Sequence, residues 1–321
     1  MDGEPIDPTI RRVLVTGAAG FIGRSVTQRL VDVGIEPLRL DRVECDPRPD
    51  SVSVTLDLVT ADLHEFLAEV DAVIHLAGTP GVQSSWAEGF EVHVRNNLLA
   101  TQRLCEAALA TDCRRVVAAS SSSVYGDVAD GAALEDGPLT PLSPYGASKA
   151  AVEHLLHAYE ARGLSVAAMR YFTVYGPWQR PDMAIHRLFR AALGGPAFPL
   201  RGSGEQLRSF TFVDDVADAT VRAVRRQTPH SVFNIGGGEV VSVRDLIDRI
   251  EHLTGRSIAI EQLPPSPGDP GRTAADVGRA QAELGWNATT SIDDGLRAQW
   301  AWHADQRHRE SAAVAAAAGR S

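Results

Sequence analysis

A tyrosine and a lysine four residues apart offer the clearest route to chemistry in this sequence. Tyr145 and Lys149 fall within residues 144–162, whose pattern predicts one long helix, so both side chains project from the same face. A phenol titrates at about pH 10 unaided, but a neighbouring ammonium favours the phenolate, which can take a proton from a hydroxyl group. By itself the pair is more typical of the solvent-facing side of an amphipathic helix, so its context must decide.

A run of four serines supplies further hydroxyl groups. Ser120, Ser121, Ser122 and Ser123 directly follow an apolar stretch, 115–119, that predicts a buried strand. The carboxyl edge of a parallel sheet opens onto the ligand crevice, where such hydroxyls can share a proton with a substrate. No G-x-S-x-G elbow surrounds them, which argues against a hydrolase nucleophile, and a polar strand-to-loop transition is the simpler alternative.

A glycine-rich turn lies between the first predicted strand, 13–16, and the helical stretch that follows it. Gly17, Gly20 and Gly23 have the spacing at which a backbone can turn tightly, approach a pyrophosphate and pack a helix against a strand. The helix N-terminus also points N–H groups and the positive end of its dipole at this spot. We therefore expect the turn, with Phe21 and Ile22, to bind a dinucleotide, against the alternative of ordinary turn glycines.

Two aspartates after the following strands bear on which dinucleotide binds. Asp41 ends the second predicted strand, where a carboxylate can accept hydrogen bonds from the adenosine ribose and would repel a 2′-phosphate. NAD is therefore favoured over NADP, although Arg42 beside it leaves the phosphorylated cofactor open. Asp57 and Leu58 follow a third strand and are expected at the adenine edge, unless Asp57 is a solvated turn residue.

Short apolar runs alternate with longer amphipathic stretches from residue 12 to about residue 172. This pattern predicts an α/β fold with a Rossmann-type doubly wound parallel sheet covered by helices on both faces. Beyond residue 172 glycines and prolines become dense, which predicts a smaller mixed α/β C-terminal substrate lobe. The expected division is an NAD-binding domain at 12–172 with 210–238 returning to it, a lobe at 173–209 and 239–304, and an Ala-rich tail at 305–321 that is disordered or, alternatively, a frayed helix.

The composition excludes several classes of protein. With 44% hydrophobic and 22% charged residues among 321, the chain is expected to be globular. Its net charge of −10 argues against binding to nucleic acid or to an anionic membrane, so an anionic ligand must meet a local positive site. Three cysteines without a C-x-x-C pair, and the lack of a signal-peptide pattern or a long apolar run, predict a cytoplasmic protein.

Together with further motifs, these features resemble one protein family. The pieces occur in the order Gly17-x-x-Gly20-x-x-Gly23, Asp41, Asp57, His75-Leu-Ala-Gly78, Asn97, Ser121, Tyr145-x-x-x-Lys149 and Arg170-Tyr-Phe-Thr-Val-Tyr-Gly-Pro177. Over about residues 12 to 300 the sequence is similar to the extended short-chain dehydrogenases/reductases, specifically the NAD-dependent nucleotide-sugar epimerases and dehydratases. The resemblance implies an NAD domain and a smaller lobe, with a nucleoside-diphosphate sugar bound between them.

The same resemblance assigns roles to single residues. It implies that Tyr145 is the base, that Lys149 holds the nicotinamide ribose and lowers the tyrosine pKa, and that Ser121 bridges to the sugar. It also implies cofactor contacts by Leu76, Ala77 and Asn97. Arg208 and Arg272 correspond to basic residues that contact the substrate diphosphate, which would supply the positive site that the acidic chain requires.

Ser123 narrows the expected reaction. Members of this family that resemble dehydratases or uronate decarboxylases usually carry an acidic residue at this position, just before Val124-Tyr125-Gly126. That residue moves protons at the sugar after oxidation. Without that carboxylate, reversible oxidation at C4 is the simplest remaining chemistry. The resemblance therefore implies a 4-epimerase, in which Tyr145 takes the 4-OH proton while C4 passes a hydride to NAD⁺, and the 4-keto sugar turns over before the hydride returns.

The expected substrate is UDP-glucuronate, converted to UDP-galacturonate. Residues 173–184 resemble the segment of UDP-glucuronate 4-epimerases in which Arg180 binds the C6 carboxylate. Further hydrogen bonds are then expected from Thr173, Ser122 and Ser123. Arg180 could instead be a loop cation beside the pocket. Gln83 stands where such epimerases often have arginine, so UDP-glucose and UDP-galactose stay open as substrates.

Other interpretations also stay open. A dehydratase, a decarboxylase or a non-catalytic NAD-binding protein could share this fold, although the intact Tyr145 and Lys149 count against the last of these. His154 and His157 lack the companion ligands of a metal site, so no metal is expected. Trp178 either stacks in the pocket or is a structural aromatic. For assembly, the resemblance implies a homodimer formed through a helix pair.

Overall fold

The computed structural model describes residues 7–128, 131–228, 230–265, 268 and 270–318. Its strands are β1 (Arg12–Thr16), β2 (Glu36–Asp41), β3 (Val52–Thr55), β4 (Ala72–His75), β5 (Arg115–Ser121), β6 (Ser165–Tyr171), β7 (Thr173–Tyr175), β8 (Phe198–Arg201), β9 (Leu207–Phe212), β10 (Val232–Ile235), β11 (Val240–Ser242), β12 (Ile260–Leu263) and β13 (Arg272–Thr273). Its α-helices are α1 (Phe21–Asp32), α2 (His64–Ala68), α3 (Gly89–His93), α4 (Ala100–Leu109), α5 (Pro144–Glu160), α6 (Ala184–Ala192), α7 (Val213–Val224), α8 (Val243–Thr254) and α9 (Ile292–Ala318). A π-helical segment, Val94–Leu99, joins α3 to α4.

Seven parallel strands form the main sheet in the order β10-β6-β5-β4-β1-β2-β3. Val15 of β1 packs with α1 and α7 on one face, whereas Leu14 packs with α4 and α5 on the other. Burial on both faces explains the continuous apolar runs of these strands. The predicted α/β fold with a Rossmann-type doubly wound sheet is confirmed. The strand order reverses between β1 and β4, which is where such sheets bind ligands.

A smaller mixed region follows the main sheet, as the sequence predicts. Strand β9 pairs in parallel with β7 and β13 and antiparallel with β11, and β8 pairs with β12. Helices α6, α8 and α9 contribute Phe189, Ile250 and Leu296 to a core of their own. Helix α7 and β10 return to the main sheet, within the segment 210–238 that was assigned to the NAD-binding domain. The division into functional domains stays a prediction.

Helix α9 extends further than the sequence led us to expect. The backbone stays helical through residues 305–318, where we expected disorder, while residues 319–321 lie outside the described part of the chain. Alanine has the highest intrinsic helix propensity, and adding residues to an existing helix avoids the cost of a new nucleus. An Ala-rich sequence after a packed helix therefore continues that helix.

Helix α5 presents the tyrosine and the lysine to the carboxyl edge of the sheet. The Ser143 side chain caps the helix by accepting a hydrogen bond from the Gly146 N–H at 3.1 Å, and Pro144 occupies the first helical position. Both residue types favour a helix start at these positions. The helix begins one residue before Tyr145, which fixes where that side chain projects. The predicted helix is therefore confirmed.

A buried ion pair fastens α5 to the sheet. Arg170 of β6 donates from Nε and Nη2 to the two carboxylate oxygens of Glu153 at 2.9 and 2.6 Å, and these side chains are only 4% and 6% exposed. Arg170 also donates to the Tyr125 hydroxyl at 2.6 Å, and the Ser120 hydroxyl donates to Glu153. Because each buried charge has its partners, the pair can persist away from water.

Lys149 lies one helical turn before Glu153 and is the only lysine in the sequence. Its Nζ is buried and donates a hydrogen bond to the Ala119 carbonyl at 2.8 Å. Burial disfavours the ammonium and lowers the pKa of Lys149 from 10.5 to about 8, against the opposing effect of the Glu153 charge. The amine is therefore close to its titration midpoint near neutral pH.

The single lysine makes this shift directly measurable. In NAD-free protein labelled with ¹³C-lysine, we expect one side-chain Cε signal that titrates near pH 8, because removing water penalises the charged form. The measurement is an NMR pH titration, with free lysine in the same buffer as the control. A midpoint above pH 10 would show that the amine is solvated rather than buried.

Candidate active site

A cleft of about 590 Å³ lies where the segments that follow β1, β4 and β5 come together. Most of the predicted site residues form its wall: Gly17, Gly20, Phe21, Ile22, Gly23, Asp41, Asp57, Leu58, Leu76, Ala77, Ser121, Ser122, Ser123, Tyr145, Lys149, Thr173 and Arg180. Asn97, Arg208 and Arg272 are not part of that wall. The topology thus brings distant parts of the sequence to one cavity.

The glycine turn has the shape of a phosphate cradle. Gly17 has a φ of 71°, and a Cβ atom there would lie 2.7 Å from the Ala77 nitrogen. A Cβ at Gly23 would lie 2.1 Å from the Gly17 carbonyl oxygen, so this glycine is what lets α1 approach the turn. Only glycine fits both requirements, and the open backbone faces the cleft at the helix N-terminus. These residues fit the pyrophosphate of a dinucleotide.

Two carboxylates flank the dinucleotide end of the cleft. Asp41 accepts a hydrogen bond from the Ala19 N–H at 3.0 Å, which ties the end of β2 to the glycine turn. Asp57 accepts from the Val59 N–H at 2.9 Å and from Arg95 at 2.8 Å, and these contacts hold the pKa of that carboxyl below its ordinary value. Both carboxylates are therefore fixed in place. Sequence reasoning missed Arg95, since no motif marks it.

Tyr145 is buried at the inner end of the cleft, beside the serine run. Burial raises the pKa of its phenol, while a hydrogen bond with Ser121 and the positive charge of Arg180 act in the opposite direction. Ser121 Oγ also donates to Ser123 Oγ at 3.1 Å and accepts from the Ser123 N–H at 3.2 Å. The edge of the buried His93 ring packs against the phenol, with 5.8 Å between ring centroids, a neighbour that the sequence did not reveal.

Asn97 braces the site from behind the cleft wall. It lies on the π-helical segment and accepts a hydrogen bond from the Thr79 N–H at 2.7 Å. Its Nδ2 donates to the Thr79 carbonyl and to Ser148 Oγ, each at 3.1 Å, and Ser148 in turn donates to the Tyr145 carbonyl at 2.8 Å. The asparagine thus joins the loop after β4 to the first turn of α5. π-helical segments often occur at functional sites, where they redirect a side chain.

Thr173 and Arg180 also line the cleft. The Arg180 side chain is partly exposed and donates from Nε and Nη2 to the two oxygens of Asp182 at 2.9 and 2.7 Å. This pairing holds the pKa of Asp182 below its ordinary value. Sequence reasoning assigned Arg180 to the pocket but missed Asp182, although the two are only two residues apart.

Arg208 and Arg272 lie on the neighbouring strands β9 and β13 and do not line the cleft. Strand β13 pairs with β9 so that Thr273 lies opposite Arg208. Arg208 donates to the Pro270 carbonyl at 2.6 Å, and Arg272 donates to the Gly131 carbonyl at 3.3 Å. The two arginines thus lie on paired strands with different hydrogen-bond partners, and their predicted contact with a diphosphate stays a prediction.

Other sequence features have simpler places in the structure. His157 is exposed beside Glu160, and no group of three or more His, Cys, Asp or Glu side chains able to hold a metal is found in the described ranges. Gln83 is exposed and does not line the cleft. Among the described helices, none is both long and apolar enough to span a membrane.

Comparison with known proteins identifies relatives of similar length. The chain is 37% identical over 304 residues to the uncharacterized UDP-glucose epimerase YtcB of Bacillus subtilis (strain 168), covering 89% of this chain and 95% of that protein. It is 33% identical over 313 residues to the UDP-glucuronate 4-epimerase of Thermodesulfobacterium geofontis (strain OPF15), covering 90% and 95% of the two chains. The similarity thus extends over nearly the whole of each protein.

Solved structures lead to the same group. The structure of MoeE5 in complex with UDP-glucuronic acid and NAD superposes with a TM-score of 0.88 at 43% identity, covering 92% of this chain and 99% of MoeE5. A sequence model of the NAD dependent epimerase/dehydratase family matches residues 13–236. The resemblance seen in the motifs is therefore confirmed: the chain belongs to the NAD-dependent epimerase/dehydratase family of enzymes, the extended short-chain dehydrogenases/reductases.

Proposed function

We propose that this enzyme is a 4-epimerase of a UDP-sugar and that its substrate is UDP-glucuronate, which it converts to UDP-galacturonate. The observation that carries the proposal is the placement of Tyr145 and Arg180 in one cleft, near enough for the guanidinium charge to lower the phenol pKa. A proton acceptor and a carboxylate-binding cation thus face the same small volume. The names of the relatives, which include a UDP-glucuronate 4-epimerase, support the same reaction.

The residues that would hold NAD form a continuous wall of the cleft. The glycine turn would receive the pyrophosphate, Asp41 the adenosine ribose and Asp57 the adenine edge. Further contacts are assigned to Phe21, Ile22, Leu58, Leu76 and Ala77. When bound, NAD supplies the hydride acceptor and donor for the sugar C4.

Tyr145 acts as the base that takes the proton of the 4-hydroxyl. In the buried site its pKa lies above the ordinary value, so the phenolate forms only where positive charge and hydrogen bonds favour it. Arg180 supplies positive charge and Ser121 a hydrogen bond that favour the phenolate, and Lys149 is assigned as the second cation. Asn97 holds the first turn of α5 through Ser148, which keeps the phenol in place.

The serine run favours epimerisation over elimination. Ser121, Ser122 and Ser123 offer only hydroxyl groups to the sugar, and no carboxylate replaces them in this part of the cleft wall. Elimination of water needs a second acid or base to move protons at neighbouring carbons. Hydroxyls can orient the sugar by hydrogen bonds without abstracting a carbon-bound proton. The 4-keto sugar would therefore turn over and be reduced on its other face.

Arg180 is assigned to the C6 carboxylate. Its contacts with Asp182 use Nε and Nη2, which leaves Nη1 and one N–H of Nη2 for a second carboxylate. Thr173, Ser122 and Ser123 are assigned to further hydrogen bonds with that group. Arg208 and Arg272 are assigned to the diphosphate, where two neighbouring cations would offset its charge.

UDP-glucose and UDP-galactose are the second candidate substrates. Asp182 already neutralises Arg180, so a sugar without a carboxylate would not leave an unpaired cation in the site. The name of the Bacillus subtilis relative also specifies UDP-glucose.

Proton NMR of the reaction with each nucleotide sugar separates these candidates, because inversion, elimination and decarboxylation give different products. NAD binding without turnover of any of them would instead indicate a non-catalytic protein.

Replacing Tyr145 with phenylalanine tests the base. We expect Tyr145→Phe to fold and to bind NAD, but to lose turnover of UDP-glucuronate by a factor of about 10² to 10⁴, because the proton acceptor is gone. Turnover is measured by NMR at saturating substrate. Tyr159→Phe, a change in the same helix away from the cleft, is the matched control, and normal activity of Tyr145→Phe would refute the assignment.

Replacing Arg180 with alanine tests the substrate. We expect kcat/KM for UDP-glucuronate to fall by about 10- to 100-fold more than kcat/KM for UDP-glucose, since losing the Arg180 charge near Tyr145 affects both substrates and only the uronate also loses a charge-assisted contact. Arg190→Ala removes an exposed arginine of α6 and is the matched control. Equal losses with both substrates would exclude a carboxylate-specific role.

We also propose that the enzyme is a cytoplasmic homodimer. Large apolar side chains are exposed along α3 and the π-helical segment: Phe90, Val92, Val94 and Leu99. Contiguous exposed apolar surface of this kind marks an interaction site, and a second copy of the same helices would cover it. The three cysteines are free and buried, which fits a reducing compartment.

Light scattering tests the dimer. The wild-type chain should have twice the 34.4 kDa mass of one subunit, and Leu99→Glu should have the mass of one, because a charge would be buried in the interface. Val52→Glu, at another exposed apolar position, should leave the dimer intact. A wild-type monomer at micromolar concentration would contradict the proposal.

A further inference from the structure

Trp178 has a backbone conformation that tryptophan rarely adopts. Its φ is 67°, in the left-handed region that favours glycine, and its side chain is 45% exposed and does not line the cleft. A bulky residue in this region is strained, and such strain persists only where surrounding contacts impose it. The residue lies between Thr173 and Arg180, in the segment assigned to the substrate.

Buried glutamines hold the backbone on both sides of Trp178. Gln299 of α9 accepts a hydrogen bond from the Gly176 N–H at 3.0 Å and donates to Gln179 Oε1 at 2.9 Å. Gln179 donates to the Val174 carbonyl at 3.0 Å and accepts from the His186 N–H at 2.9 Å. With both neighbours fixed, the Trp178 ring is turned outward from the cleft.

The ring is placed over a cation of the cofactor helix. The Arg24 guanidinium carbon lies 4.5 Å from the Trp178 ring centroid, and the Trp302 ring packs on the same indole at 5.4 Å. Arg24 lies in the first turn of α1, directly after Gly23, and its Nε donates to the Ala19 carbonyl at 3.0 Å. One cation thus contacts both the glycine turn and the substrate segment.

We propose that Trp178 is a positioning residue that, through Arg24, ties the substrate segment to the NAD-binding turn. The Ala19 carbonyl accepts a hydrogen bond from Arg24, and the Ala19 N–H donates one to Asp41. The arginine that contacts the indole therefore also stabilises the turn that receives the pyrophosphate. When NAD binding orders the turn, this contact also restricts Arg180, which lies two residues beyond Trp178. The coupling is reciprocal, so ordering of Arg180 by a substrate favours NAD binding.

The substrate half of this proposal rests on the proposed function, whereas the cofactor half does not. Trp178 is outside the wall of the cleft, so it has no direct contact to lose when NAD binds there. A change in NAD affinity on removing the indole therefore reports the contact with Arg24. A merely structural role for the ring would alter thermal stability and leave NAD affinity unchanged.

A double-mutant cycle tests the contact with the full-length chain. The variants are Trp178→Gly, which keeps the backbone conformation without strain, Arg24→Gln, and the two combined. Isothermal titration calorimetry of NAD-free protein gives the NAD affinity, and KM and kcat for UDP-glucuronate are measured with saturating NAD. Trp178→Tyr retains an aromatic ring, and Trp300→Leu removes an aromatic from the same lobe that stacks on Phe189 instead.

We expect Trp178→Gly to weaken NAD binding by about threefold to fivefold and to raise KM for UDP-glucuronate more than it changes kcat. Trp178→Tyr and Trp300→Leu should bind NAD as the wild type does. In the Arg24→Gln background, Trp178→Gly should have less than a twofold further effect. Wild-type NAD affinity in Trp178→Gly, or effects that multiply fully in the double variant, would overturn the proposal.

One replacement variant and one independent readout keep the outcome decisive. Trp178→Asn also tolerates the left-handed conformation and replaces Trp178→Gly if that protein does not fold. If the wild type does not turn over UDP-glucuronate, the proposed function fails, while the NAD titrations still decide whether Trp178 and Arg24 are coupled.

Discussion

The burial of a phenol and an amine in the wall of one cleft is the constraint on which the rest of the site depends. Burial raises the pKa of Tyr145 and lowers that of Lys149, so the surroundings favour the neutral form of both groups. A base is useful only if it can become charged in the reaction. The charges that oppose burial come from two residues: Arg180 favours the phenolate, and Glu153, one turn further along α5, favours the ammonium.

This balance explains why so much structure converges on the first turns of α5. The Ser143 cap sets the start of the helix, the Ala119 carbonyl holds the amine, and Asn97 holds the turn through Ser148. The Glu153–Arg170 pair anchors the helix to β6. Each contact restricts motion of the two side chains that we assign to a sugar and a nicotinamide. Preorganisation of this kind is how an active site lowers the cost of reaching a reactive geometry.

The sequence was sufficient for the scaffold and for most of the cleft wall, because these depend on local patterns. The glycine spacing predicts the turn, and the apolar runs predict a parallel sheet whose carboxyl ends meet at one edge. Contacts between distant segments were not predictable. Arg95 beneath Asp57, the His93 ring on Tyr145 and the stack of Trp178 on Arg24 have no sequence signal, since each arises only from tertiary packing. The helical tail after residue 304 shows the opposite case, in which helix propensity outweighed low complexity.

The central claim is that Tyr145, Lys149 and the cofactor act on one carbon of a bound sugar, whose hydrogen leaves and returns without meeting water. The most direct test uses UDP-glucuronate carrying deuterium at C4, with ¹H NMR and mass spectrometry of the UDP-galacturonate formed. The account predicts that deuterium is retained at C4 of the product in ordinary water. Replacement of that deuterium by solvent hydrogen would contradict it.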